Sequence, residues 1–118
     1  MANQSDETMN DPEETITRGT GNVFADLGYA DAEERQTKLR LAHAINNLIS
    51  QRRLTQAAAA KQLGVNQPKV SALTNYKLGG FSVERLMTFL TALDQDVEIV
   101  IRKKPRSQPA GRISVVAA

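Results

Sequence analysis

Residues 54–82 read LTQAAAAKQLGVNQPKVSALTNYKLGGFS, two short helical patterns joined by a tight glycine turn. Thr55 stands where an N-cap belongs, its hydroxyl placed to accept from the free amides of a first turn. Gln56 to Leu63 then run through four alanines, the best helix formers. At Ala60 a side chain no larger than methyl lets a second helix approach closely. Gly64 can take the positive φ needed to leave the helix sharply. Val65 is an apolar plug in the turn, and Asn66 is a good N-cap for a second helix. Pro68 falls in that helix's first turn, where a missing amide hydrogen costs nothing. Val70 and Leu73 are three apart and share the inward face.

Gln67, Lys69, Ser71, Ala72, Thr74 and Asn75 are left to look outward, and no acid occurs from Gln56 through Val83. A face of amides, hydroxyls and one lysine suits base edges and phosphates. A helix pair with a short turn is also a common way to seat one helix in the major groove of DNA. The competing reading is an ordinary packed helical hairpin. It requires neither the fixed Ala–Gly–Val–Leu spacing nor the acid-free surface.

The segment resembles the Cro/C1-type (Xre) helix-turn-helix of phage repressors, through Gln56, Ala57, Ala60, Gly64, Gln67, Val70 and Leu73. Over roughly residues 20–104 the chain is also similar to a narrower group, the HigA-type antitoxins of bacterial toxin–antitoxin operons. The strings that carry this second likeness are NVFADLG at 22–28, QPKVS at 67–71 and LGGFSVERLMTFLTALDQDVEIVI at 78–101. Two positions depart from the family's pattern. Ala59 stands where a larger aliphatic residue is commoner, and Tyr76 where a glycine commonly ends the recognition helix.

The resemblance implies a mostly α, five-helix, lambda-repressor-like domain. It also implies a repressor that binds its own operator and neutralises a RelE/HigB-like toxin. The alternative is a stand-alone phage-type repressor with no toxin partner. By analogy with the fold, Gln56, Asn75 and Lys77 contact the DNA backbone. Gln67, at the start of the recognition helix, reads a base edge, and Lys69, Ser71, Ala72 and Thr74 lie close to bases and neighbouring phosphates.

Length and composition bound the rest. A chain of 118 residues with 41% hydrophobic content supports one small domain. It has no cysteine, hence neither disulfides nor thiolate metal sites. No apolar run reaches transmembrane length, and the acidic N-terminus lacks the pattern of a signal peptide, so a cytoplasmic protein is expected. The net charge of +2 hides an asymmetry: residues 1–34 carry nine acids against Arg18, and residues 35–118 carry fourteen bases against four acids. A basic body suits phosphate binding, and the acidic end reads as a solvated, disordered arm over 1–21.

Asn22 to Gly28 form a short apolar segment, and Asp31 can cap a first long helix over about 32–53. Leu41, Ala42, Ile45, Leu48 and Ile49 lie on one face of that helix. The two motif helices follow at about 55–63 and 67–76. Phe81 anchors the loop after them, and Ser82 caps a last helix to Leu93 with Val83, Leu86, Phe89, Leu90 and Leu93 inward. Val23, Phe24 and Leu27 either complete the core or offer an apolar group to a toxin.

Residues 96–102, DVEIVIR, change period. Val97, Ile99 and Ile101 alternate with Glu98, Val100 and Arg102, which predicts a half-buried strand. A lone strand needs a partner. The economical partner is its own copy in a second subunit, which makes Val97 to Arg102 the dimerisation segment. Pairing with residues 21–24 of the same chain is the other option. An antiparallel pair centred on Val100 sets Glu98 against Arg102 of the second copy and turns Val97, Ile99 and Ile101 toward the helices. Residues 105–118 read as a flexible basic and apolar tail. Its ISVVAA stretch could cover a neighbour, bind a partner or serve as a protease tag.

Catalysis is not expected. His43 is the single histidine, flanked by Ala42 and Ala44, and no nucleophilic triad, metal-spaced cluster or phosphate loop occurs. No cofactor or metal is implied, and the partners are operator DNA, a second copy and a toxin, with no membrane.

Overall fold

The computed structural model describes residues 21–117, with side chains from residue 31 onward. Two compact units divide the chain, Met1–Ala32 and Glu33–Ala118. Four helices occur among the described residues: α1 (Gly21–Gln51), α2 (Gln56–Leu63), α3 (Gln67–Thr74) and α4 (Val83–Ala92).

The first helix departs from expectation. One continuous α1 replaces the short segment and the separate helix, so Asp31 lies inside a helix instead of capping one, and four helices, not five, are seen among the described residues. The reason is local: Gly28 costs a helix only about 1 kcal/mol, and the run Ala32, Glu33, Glu34 and Arg35 after Asp31 favours the helix. Val23, Phe24 and Leu27 fall on this helix, and their side chains lie outside the described residues. At the other end α1 closes without glycine. Arg53 adopts φ 53, and the Leu54 amide donates to the Ile49 carbonyl at 3.0 Å.

The motif helices form as their caps dictate. Thr55 accepts from the Ala58 amide at 3.0 Å, and Gly64 leaves α2 at φ 73. Asn66 accepts from the Lys69 amide at 2.9 Å and starts α3 with Pro68 in its first turn. On α4, Ser82 accepts from the Arg85 amide at 3.0 Å.

The apolar stripes meet in one core. Leu41, Ala42, Ile45 and Ile49 of α1 close on Val70 and Leu73 of α3 and on Leu86, Phe89, Leu90 and Leu93 at α4, all buried. Ala59 is fully buried, so the small side chain that departs from the family pattern sits at a close helix contact. Phe81 seals the α3–α4 loop, its ring edge-on to Phe89 with centroids 5.9 Å apart.

After α4 the chain turns through Asp94 at φ 66, where the Arg52 guanidinium donates to the Leu93 carbonyl at 2.6 Å and pairs with Asp94 at 3.7 Å. No strand forms from Asp96 onward among the described residues. The single chain supplies no ladder partner, and residues 21–24, the in-chain option, are helical. Val97, Ile99 and Ile101, expected against the helices, are 36%, 75% and 93% exposed. The tail reverses at residues 105–108, where the Gln108 amide donates to the Pro105 carbonyl, and Val115 returns to pack on the core.

Candidate nucleic-acid interface

The α2–turn–α3 unit fixes one helix against the other and leaves α3 with an open outer face. Val70 and Leu73 point into the core at 0% and 1% exposure, so helical geometry turns Gln67, Lys69, Ser71 and Asn75 away from it. Gln56, Gln67, Lys69, Asn75 and Lys77 are exposed, whereas Ser71, Ala72 and Thr74 are half-buried. The surface is acid-free from the start of α2 to Val83, and Glu84 is the first carboxylate after it.

Individual side chains differ in how free they are to act. Gln56, Gln67 and Lys77 are exposed and make no side-chain hydrogen bond among the described residues. Asn75 is partly engaged, donating to the Ser71 carbonyl at 2.9 Å, and the Thr74 hydroxyl donates to the same carbonyl at 3.1 Å. Both bonds close the last turn of α3, so these side chains cap the helix and keep an oxygen for an outside donor. Lys69 is tied more firmly. Its ammonium donates to the Gly80 carbonyl at 3.3 Å and lies 4.9 Å from the centre of the Phe81 ring. Ala72 packs in part against the core, which limits the contact its methyl can make outside.

Sequence reasoning missed the residues that hold α3 in place. Asn46 donates from α1 to the Leu73 carbonyl at 3.1 Å. An amide immediately after buried Ile45 was the available signal. His43 lies with Nδ1 3.4 Å from the Tyr76 hydroxyl and Nε2 3.3 Å from the Asn47 side-chain amide. Tyr76 ends the recognition helix where glycine is usual, and it does so at φ 58. The Lys77 amide donates back to the Ala72 carbonyl at 2.8 Å, which completes the left-handed helix end. Helix α3 therefore stops at Thr74, two residues before the sequence suggested.

A short capped helix, held by a glycine turn against a partner helix and offering an acid-free polar face, defines a DNA-binding helix-turn-helix protein. The model of the helix-turn-helix domain family matches residues 23–102. A solved structure assigned as an XRE family transcriptional regulator is 80% identical, covering 75% of this chain and 99% of its own, with a TM-score of 0.72. No curated protein matches. The chain belongs to the helix-turn-helix domain family, as an XRE-type DNA-binding transcriptional regulator. No helix among the described residues is long and apolar enough to cross a membrane.

Proposed function

We propose that the protein is a dimeric repressor that occupies a pseudo-palindromic operator in its own promoter and serves as the antitoxin of a two-gene operon. The observation that carries the repressor reading is the exposed amide of Gln67 at the N-terminal end of α3, with a basic residue, Lys77, just beyond the other end. Gln67 is the base-reading group, because a glutamine amide pairs bidentately with adenine. Gln56, Asn75 and Lys77 meet phosphates and set the register, while Ser71 and Thr74 supply hydroxyls at the groove edge.

The dimer reading is supported by Val97, Ile99, Val100 and Ile101, whose apolar side chains are exposed in the single chain. Pairing the segment with its own copy about Val100 satisfies its backbone groups. Two recognition helices then address successive major grooves about 34 Å apart. The antitoxin role is supported by the likeness of residues 22–28, 67–71 and 78–101 to HigA-type antitoxins. In that role Val23, Phe24 and Leu27, next to the acidic arm in sequence, bind a small basic toxin.

An electrophoretic binding assay on the protein's own promoter, with and without the product of the adjacent short reading frame, tests both levels. Binding to the promoter over random DNA supports the repressor, and a further shift with the neighbour supports the antitoxin. Promoter binding with no effect of the neighbour on either DNA or growth leaves a stand-alone repressor.

A further inference from the structure

We propose that the segment from Ile113 to Ala117 is a clasp that positions the DNA-facing end of α3 through Tyr76. The inference rests on the reading that Asn75 and Lys77 meet the DNA backbone, and it adds a control on those contacts from outside the interface.

Tyr76 sits between those two residues at φ 58, a conformation in which a Cβ crowds the following carbonyl. A residue held there needs support from its surroundings. On one side the His43 ring provides it, Nδ1 lying 3.4 Å from the Tyr76 hydroxyl. On its other side Tyr76 faces a groove that the tail also lines. Val115 and Ala117 join Tyr76, Leu39, His43 and Ala44 around one groove of about 400 Å³ on the face of α1.

The tail is seated by its backbone. The Ile113 amide donates to the Glu33 carboxylate at 3.4 Å, and Arg40 donates to the Val115 carbonyl at 3.5 Å. Val115 is half-buried and packs on the core, whereas Ile113 and Val116 are 66% and 86% exposed. The seat therefore rests on one side chain, Val115. It is also weak, since both backbone contacts are long and exposed. A weak seat through one side chain, beside a groove that a strained residue also lines, is suited to release. When the tail leaves, Tyr76 loses one wall, and the backbone that aims Asn75 and Lys77 loosens with it.

The test compares two aspartates one position apart, which add the same charge to the tail. Val115→Asp weakens operator binding about five- to tenfold, and Val116→Asp changes it by less than about twofold. In a Tyr76→Gly chain, where the left-handed backbone no longer needs holding, the two tail variants bind alike. The chain has two tyrosines and no tryptophan, so Tyr29→Phe leaves Tyr76 as the only strong intrinsic fluorophore. Its emission changes with Val115→Asp and not with Val116→Asp. Circular dichroism confirms the helices, and Val115→Ser carries the comparison if the aspartate variant does not fold. Equal operator affinities for the two aspartates would overturn the proposal, as would a loss from Val115→Asp that persists in the Tyr76→Gly chain. A fluorescence change with no change in affinity also overturns it, because the tail would then touch Tyr76 without positioning anything.

Discussion

The Asn46 side chain on α1 donates to the Leu73 carbonyl on α3 across 3.1 Å, so one amide joins the longest helix to the last turn of the recognition helix. The carbonyl belongs to a residue whose own side chain is 1% exposed, which makes the bond a strut between core and reading face. The other end of the amide, Oδ1, is buried without a partner in the described residues. Such an atom is a cost accepted for position.

Asn46→Ala removes the strut and the orphaned oxygen together. A net hydrogen bond contributes about 1 kcal/mol, and the vanished oxygen offsets part of its loss. Urea unfolding should therefore show a stability loss of about 1 kcal/mol or less, while operator affinity falls by more than random-DNA affinity. A variant with unchanged operator discrimination shows that α3 is placed without Asn46.

Lys69 and Lys77 carry the same charge in different settings, and salt dependence separates them. Lys77 projects freely, so Lys77→Ala should weaken operator and random DNA alike and flatten the slope of log affinity against log salt by about one unit. Lys69 is held by the Gly80 carbonyl and the Phe81 ring. Lys69→Met should leave that slope nearly unchanged and act instead on the α3–α4 loop. Equal slope changes in the two variants would show that Lys69 leaves its seat to meet a phosphate.

Ala59 is fully buried in the core cluster, so a larger side chain there must displace its neighbours. Ala59→Leu, although it restores a residue commoner in the family, should destabilise by about 1–3 kcal/mol through overpacking. Thermal denaturation followed by circular dichroism checks this, and a raised midpoint would reveal unfilled volume beside the methyl.

Val100→Pro removes a backbone donor at the centre of the stripe and should yield monomers in sedimentation, with much weaker operator binding. The charge pairs flanking the axis contribute only about 0.2–1 kcal/mol each, so apolar burial carries the association. A variant that still sediments as a dimer places the interface on the helices.

The motif was legible in the sequence because caps act locally. Thr55, Gly64, Asn66 and Ser82 each do in the structure what their residue type predicts within four positions of chain. The inward faces of α1, α3 and α4 were legible for a similar reason, since helical period sorts apolar residues without knowledge of the partner. The break expected near Asp31 was not realised: one good capping residue and one glycine do not stop a helix that Ala32, Glu33, Glu34 and Arg35 carry on. Side chains that hold the site from another element left little trace. Nothing near Lys69 announces that Gly80, eleven residues on, captures its ammonium, nor does His43 announce Tyr76. The alternation over 97–101 signals a strand, yet no strand forms there among the described residues.

Whether α3 reads sequence through its first residue, Gln67, is decided most directly by one competition measurement. Operator and random DNA are titrated at a single fixed salt concentration with the native protein and with Gln67→Ala. Losing a bidentate adenine pair costs about 1–3 kcal/mol, roughly five- to 150-fold in discrimination, while affinity for random DNA stays the same. If Gln67→Ala discriminates operator from random DNA as well as the native protein does, α3 does not read its operator through Gln67.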